Sequence, residues 1–458
     1  MDTGTTRSPT ASTGAADDGT ATPGPTDDVS TTPGPTGDAP GSRDRLPLAA
    51  LVTANVISAI GNSVSALAIP WFVLQTTGSA ARMGIVAAAG MIPFILSSVF
   101  GGALVDRIGH KRASVIADVS SGLTVAAIPL CHATVGLPFW LLLVLVFAGS
   151  LLDAPGSAAQ VALVPDIAGR ARVSLERVNG LTQSMVNVSR LAGPLIAGTL
   201  IAAVGASAVL WIDAASFAIS AALVGRFVPS IARPAAAGEG SYRENLVAGW
   251  RVLWSDRPLR GIALTAVVTN AVGAPLGGVI LPLYAAATYG TARSFGVMVA
   301  GIGAGALLGA VAFGAIGDRL PHRPTLAVGF SIGFVPLTVL LLEPSLPVAV
   351  MALFTGAAAG GVINPLVVTI FHRRVPPAFQ ARAFGTLVGL AMVAAPLGVL
   401  VAGSLVEAVG VNPILAMIVG IGSLTGLLIL AHPAFAGLGS ATPPAPATPE
   451  PGIGVSGP

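Results

Sequence analysis

The sequence predicts an all-α membrane protein: twelve transmembrane helices arranged as two pseudo-symmetric halves of six. Three observations carry that reading. Of the 458 residues, 53% are hydrophobic and only 9% charged, with mean hydropathy +0.83, whereas soluble domains average about 25% charged. The apolar residues fall into twelve runs long enough to cross a bilayer, which takes roughly 20 residues per helix. A charged loop, finally, is written twice. Gly102–Arg112 reads G-A-L-V-D-R-I-G-H-K-R, and Gly314–Pro324 reads G-A-I-G-D-R-L-P-H-R-P, so that Asp106 and Asp318, Arg107 and Arg319, and His110 and His322 each stand 212 residues apart.

Taken in order, residues 1–45 are Thr, Gly, Pro, Asp and Ser, too polar to bury a core, and are expected to be a disordered tail. The first six spans are expected at 48–75, 82–105, 113–132, 137–160, 180–204 and 207–228, within a first half covering 46–228. A polar linker, 229–258, follows; its segment 241–255 has the pattern of a short amphipathic helix at the membrane surface. The second six spans are expected at 259–287, 294–316, 325–342, 346–371, 383–406 and 411–431, within a half covering 259–432. A second Pro-rich tail, 433–458, is expected to be disordered.

Orientation follows from the placement of Arg and Lys, which concentrate on the cytoplasmic side of membrane proteins. With the N-terminus inside, the tails and even-numbered gaps hold 20 of the 23 bases. The outer loops hold only Arg82 and Arg293, and Arg190 lies within the fifth span. Both termini are therefore expected in the cytoplasm. This placement between apolar runs also argues against nucleic acid as the partner of a chain with net charge +3. Cys131 stands alone, so neither a disulfide framework nor a metal cluster is indicated. No nucleotide-binding loop is present, which argues against an enzyme or an ATP-driven pump, and no cofactor or metal is expected.

The repeat extends beyond the charged loops. Arg177-Val-Asn-Gly180 matches Arg382-Ala-Phe-Gly385, while Ala197-Gly-Thr-Leu with Val204-Gly205 matches Ala402-Gly-Ser-Leu with Val409-Gly410. Parallel repeats of six helices are the signature of a two-halved transporter whose site lies between the halves near the midplane.

These residues resemble a known family. Gly102, Leu104, Asp106, Arg107, Gly109, His110 and Lys111 follow the G-x-L-a-D-R-x-G-r-k signature of the major facilitator superfamily, with His110 in place of the usual Arg. Within it, W-F-V-L-Q-T-T-G-S (71–79), D-A-P-G-S-A-A-Q-V-A-L-V-P (153–165), R-L-A-G-P-L-I-A-G (190–198), D-A-A-S-F (213–217) and H-R-R-V-P (372–376) resemble the drug-efflux branch containing macrolide and siderophore exporters. The chain departs from that branch at Asn62, Ser121 and His372. The resemblance implies a conformational latch: Asp106 would cap the eleventh helix of the other half, braced by Arg107, Lys111 and Arg112, with Gly102 and Gly109 in the same motif and Gly314, Asp318 and Arg319 as its second copy. Arg190, Gly193, Pro194 and Gly198 resemble the antiporter motif of the fifth helix. Proline there removes a helix hydrogen bond and the small residues permit close packing.

Charges inside the membrane are expensive and by default functional. Arg190 shares one helical face with Gln183, Asn187 and Pro194. Asp153, Ser157 and Gln160 form a stripe on the fourth span, and Asn55, Ser58, Asn62 and Ser65 one on the first. These faces are expected to line a water-filled cavity. Arg190 needs an acid, with Asp153 the first candidate and Asp118 the second; a pairing broken by substrate or by helix movement would let the acid load and release a proton. Asp213 is expected near the outer end of the sixth span, facing water.

The expected function is secondary active export of an amphiphilic small molecule (a drug, an antibiotic or a siderophore-like metabolite) across a bacterial plasma membrane by alternating access, in exchange for protons. The expected partners are that substrate, protons and the lipid bilayer, with the chain acting as a monomer. An importer or uniporter on the same fold, or a membrane receptor or assembly factor without flux, is the alternative reading.

Overall fold

The computed structural model describes residues 45–230 and 242–438, apart from the side chains of residues 98–104, Asp106, residues 242–246 and Ala378. Among these residues the fold is helical throughout, with twelve helices long and apolar enough to span a membrane. The first six are α1 (Leu46–Thr77), α2 (Ala80–Ile108), α3 (His110–Thr134), α4 (Phe139–Ala171), α5 (Leu175–Val204) and α6 (Ala206–Phe227). The amphipathic linker segment forms α7 (Tyr242–Ser255). The second six are α8 (Arg257–Tyr289), α9 (Ala292–Arg319), α10 (His322–Leu342), α11 (Leu346–Arg374), α12 (Pro377–Val409) and α13 (Val411–Ala431). Most run a few residues past their apolar windows, because a helix continues through the interfacial region until a turn residue stops it.

Several of those stops are repeated. Gly205 joins α5 to α6 at φ +84° and Gly410 joins α12 to α13 at φ +86°, a backbone conformation open essentially to glycine alone. The Val-Gly pairs of the sequence repeat are thus two copies of one tight joint. Gly109, between α2 and α3, has φ +90°, whereas its counterpart Pro321 has φ −70° and follows a 3₁₀ turn, Gly317–Arg319. The two charged loops are alike in sequence and different in backbone.

Two helices of the second half are interrupted. In α8, the α-helical turns Arg257–Pro275 and Leu281–Tyr289 are joined by a π-helical turn, Leu276–Ile280. Pro275 and Pro282 flank it and donate no backbone hydrogen bond, which loosens the helix at that point. In α11, Gly361 and Val362 form a turn between Leu346–Gly360 and Ile363–Arg374. Irregular backbone at membrane depth persists where it lines a cavity or is buried in protein.

The expectation of disordered tails is corrected at one place; the rest, 1–44 and 439–458, lies outside the described residues. Residues 433–438 are folded: Phe435 and Leu438 are buried in the second half's core, and the ring of Phe435 packs on Gly261 of α8. Arg374 holds this segment by donating to the Gly437 carbonyl at 2.6 Å and to the Asp256 carboxylate at 2.8 Å. Asp256 in turn caps α8 by accepting from Leu259 N–H. Two apolar anchors and a buried guanidinium overcome a composition that reads as tail.

The halves meet through α2 against α12 and α5 against α9. We call the end of the bundle where α1 begins and α13 finishes the termini end, and the opposite end the far end. The close approaches between halves fall toward the far end: Gly84 of α2 against Val399 and Gly403 of α12, and Gly198 of α5 against Ala292 and Gly296 of α9.

Candidate functional site

A cavity of about 590 Å³ lies between the halves. The first half contributes Asn62, Ser65, Asp153 and Asp213 to its wall, and the second contributes Gly277 and Gly278 of the π-helical turn with Phe295 and Val299 of α9. Among the described residues most of the lining is apolar, its two charges are both carboxylates, and no Lys, Arg or His lines it. A pocket with an apolar body and a few placed polar groups is the ordinary form of a small-molecule site.

The carboxylates are held by neutral donors. Asp153 stands beside the Asn62 amide in the cavity wall. Asp213 accepts from Ser65 Oγ and from Ser216 Oγ. It is only 1% exposed, so the expectation that it faces water at the end of α6 is corrected. α1 packs along α6 and brings Ser65 onto it, a contact invisible in the spacing of either helix. Asp118 of α3 accepts from Ser220 Oγ at 2.7 Å and from Gln160 Nε2 at 3.3 Å. It belongs to this buried polar core, and Asp153 is near enough to both other acids for their charges to interact.

The expected pairing of Asp153 or Asp118 with Arg190 is not formed. Among the described residues Arg190 has no ion pair, and it lines a second cavity of about 980 Å³. α5 packs mainly on α1 and on α9 and only lightly on α4, the helix that carries Asp153. Asn62 of α1 lines both cavities. This larger cavity gathers residues from all three expected faces: Asn55, Ser58 and Asn62 of α1, Ser157 and Gln160 of α4, and Gln183 and Arg190 of α5. Asn187 is not in its wall; its side-chain oxygen accepts from Gln183 Nε2 at 3.2 Å.

The fifth-span motif is placed at the contact between helices. Gly193 lies against Ser63 of α1, so closely that a Cβ there would be 2.5 Å from the serine Cβ. A Cβ on Gly198 would fall 2.8 Å from the Ala292 carbonyl, and one on Gly296 would collide with the Pro194 carbonyl. The other half does the same: a Cβ on Gly403 would lie 2.8 Å from the Ala80 carbonyl, and one on Gly84 would lie 2.7 Å from that of Val399. The repeated Ala-Gly-Thr-Leu and Ala-Gly-Ser-Leu strings are therefore the two seams along which the halves touch backbone to backbone.

Beside one seam, Glu407 of α12 reaches across to the start of α2. Its Oε2 accepts from Ser79 Oγ at 2.7 Å and from Ala81 N–H at 2.9 Å, so a carboxylate of the second half caps a helix of the first. Sequence reading passed over Glu407; the available signal was a single acid in the last turn of a span whose other charge, Arg382, stands near its start. At the termini end, Arg107, Arg112, Asp318 and Arg319 are exposed and Lys111 is half-buried, without an ion pair among the described residues. The side chain of Asp106 and the surroundings of Gly102 lie outside the described residues, and none of the described residues packs within 4 Å of a Cβ built on Gly109 or Gly314. No group of three or more His, Cys, Asp or Glu among the described residues is placed to hold a metal ion.

The sequence matches the model of the Major Facilitator Superfamily over residues 51–336 and 276–454. The chain belongs to that superfamily. The multidrug efflux pump Tap of Mycobacterium tuberculosis is 32% identical over 405 residues, covering 85% of this chain and 94% of Tap. Macrolide efflux protein A of Streptococcus pyogenes is 20% identical over 360 residues, covering 78% and 88%. These relatives place the chain in the drug-efflux branch, as a multi-pass protein of a bacterial plasma membrane. Among solved structures, the nucleoside transporter NupG superposes with a TM-score of 0.71 at 14% identity, over 84% of this chain and 98% of NupG, a likeness of fold.

Proposed function

We propose that this superfamily member exports an amphiphilic small molecule, of the drug or antibiotic class, from the cytoplasm by alternating access in exchange for protons. The observation that carries the reading is the cavity between the halves: an apolar chamber whose two charges, Asp153 and Asp213, are carboxylates held by neutral donors and balanced by no base. Such acids serve either a proton or the positive end of a substrate, and a group serving both in turn couples them. The export relatives, Tap and macrolide efflux protein A, support the direction. With both termini in the cytoplasm, as the placement of bases favours, the far end faces outward, and the glycine seams close the outer mouth in this conformation. Asp106 and its partners would form the latch that closes the opposite, inner mouth in the alternate state.

The test is transport in proteoliposomes under an imposed pH gradient. Asp153→Asn with Asp213→Asn is expected to abolish gradient-driven flux. Wild-type gradient-driven flux in the double variant would refute proton coupling through these acids.

A further inference from the structure

A third cavity, about 550 Å³, lies wholly within the second half, walled by α8, α9, α10, α11 and α12. Among the described residues no Asp, Glu, Lys, Arg or His lines it. Its polar groups are Thr265, Thr269 and Asn270 of α8 and Asn364 of α11, set among Phe330, Phe334 and Phe384. The two threonine hydroxyls donate to carbonyls of their own helix, which leaves their oxygens as acceptors. Asn270 donates one amide hydrogen to the Ala266 carbonyl at 2.9 Å and keeps its own oxygen free of any described donor. Asn364 stands just past the turn that breaks α11, and its amide is hydrogen-bonded to none of the described residues. Both asparagines are exposed, so each amide is open to a molecule in the cavity. The cavity adjoins the carboxylate chamber: Leu276 of the π-helical turn lines one and its neighbours Gly277 and Gly278 line the other, as do Ile302 and Val299 on α9.

We propose that this cavity is a second substrate subsite, reserved for the uncharged hydrogen-bonding part of the exported molecule, with Asn270 and Asn364 as its specificity-determining residues. A charge entering it would be unpaired, since no counter-charge lines the wall. A hydroxyl, carbonyl or amide would meet a free amide that both donates and accepts, and phenyl rings beside it take up apolar surface. The proposal rests on the exporter reading: a positively charged end lies with Asp153 and Asp213, and the neutral polar body crosses the π-helical turn into the second half.

Two probes separate these parts. Tetraphenylphosphonium is an apolar cation with no hydrogen-bonding group, whereas doxorubicin is an amphiphilic amine rich in hydroxyls and carbonyls. Equilibrium binding of each is measured on the purified full chain, wild type against Asn364→Ala and Asn270→Ala. Losing a neutral hydrogen bond is expected to weaken doxorubicin about threefold to tenfold in either variant and to leave tetraphenylphosphonium unchanged. The retained cation binding also shows that the variants fold. Equal weakening of both probes, or none, would overturn the subsite while leaving the exporter reading standing. Failure of the wild type to bind either probe would overturn both together.

Discussion

In the first half, Asp153 and Asp213 line the chamber between the halves, with Asp118 buried next to them and Arg190 in a cavity of its own; the second half offers its own cavity only hydroxyls and amides. At the seams the two halves are close copies. Gly84 meets Gly403 and Gly198 meets Gly296, with Ala80 and Ala292 in matching places. The difference teaches what duplication preserves. A backbone contact between halves involves one helix from each copy, so neither copy can change its glycine without a collision. On the proposed coupling, one set of acids serves the proton or cation, and the second copy is released from carrying charge.

The largest effect expected from disturbing this comparison is at the seams. Gly403→Val and Gly198→Val each push a side chain into a carbonyl, and overpacking costs about 1–3 kcal/mol. Both should favour the state in which the far end is apart, measured as increased labelling of a cysteine placed at Val299 in the chamber wall by an impermeant reagent from outside. Unchanged labelling in both would mean that the seams do not close the outer mouth. Next come the charged loops, where Gly109 permits a backbone that Pro321 does not. Asp106→Asn is expected to reduce transport more than Asp318→Asn; equal losses in a flux assay would show that the loops have not diverged in use. The smallest effect is at Glu407. Glu407→Gln keeps an acceptor and loses the charge at an exposed site, where such contacts are weak, so roughly a twofold change in exchange rate is expected. A change as large as that of Gly403→Val would make Glu407 the principal outer contact.

Much of the candidate site was legible in advance because polar residues in a membrane helix stand out against an apolar background. Asn55, Ser58, Ser157, Gln160 and Gln183 were each found by helical spacing, and the fold places all five on one cavity. What escaped was pairing. Asp213 appeared peripheral until α1 supplied Ser65, and Arg190 appeared to need Asp153, but the fold sets the two in different cavities. Asn364 and Asn270 stood out in the same way but carried no charge and no motif, and the sequence reading passed over them.

The sequence by itself determined the twelve helices, the two halves, the doubled loop and the superfamily, because hydrophobic length and turn residues act locally and a repeat can be read without a fold. Only the tertiary structure decided that the repeated Ala-Gly strings are the contact between halves, that the acids cluster away from Arg190, and that the end of the chain through Leu438 packs on the second half. Those outcomes depend on which helix faces which neighbour. Helices embedded in lipid have apolar residues on every side, so periodicity marks the polar face and leaves the partner of each face open.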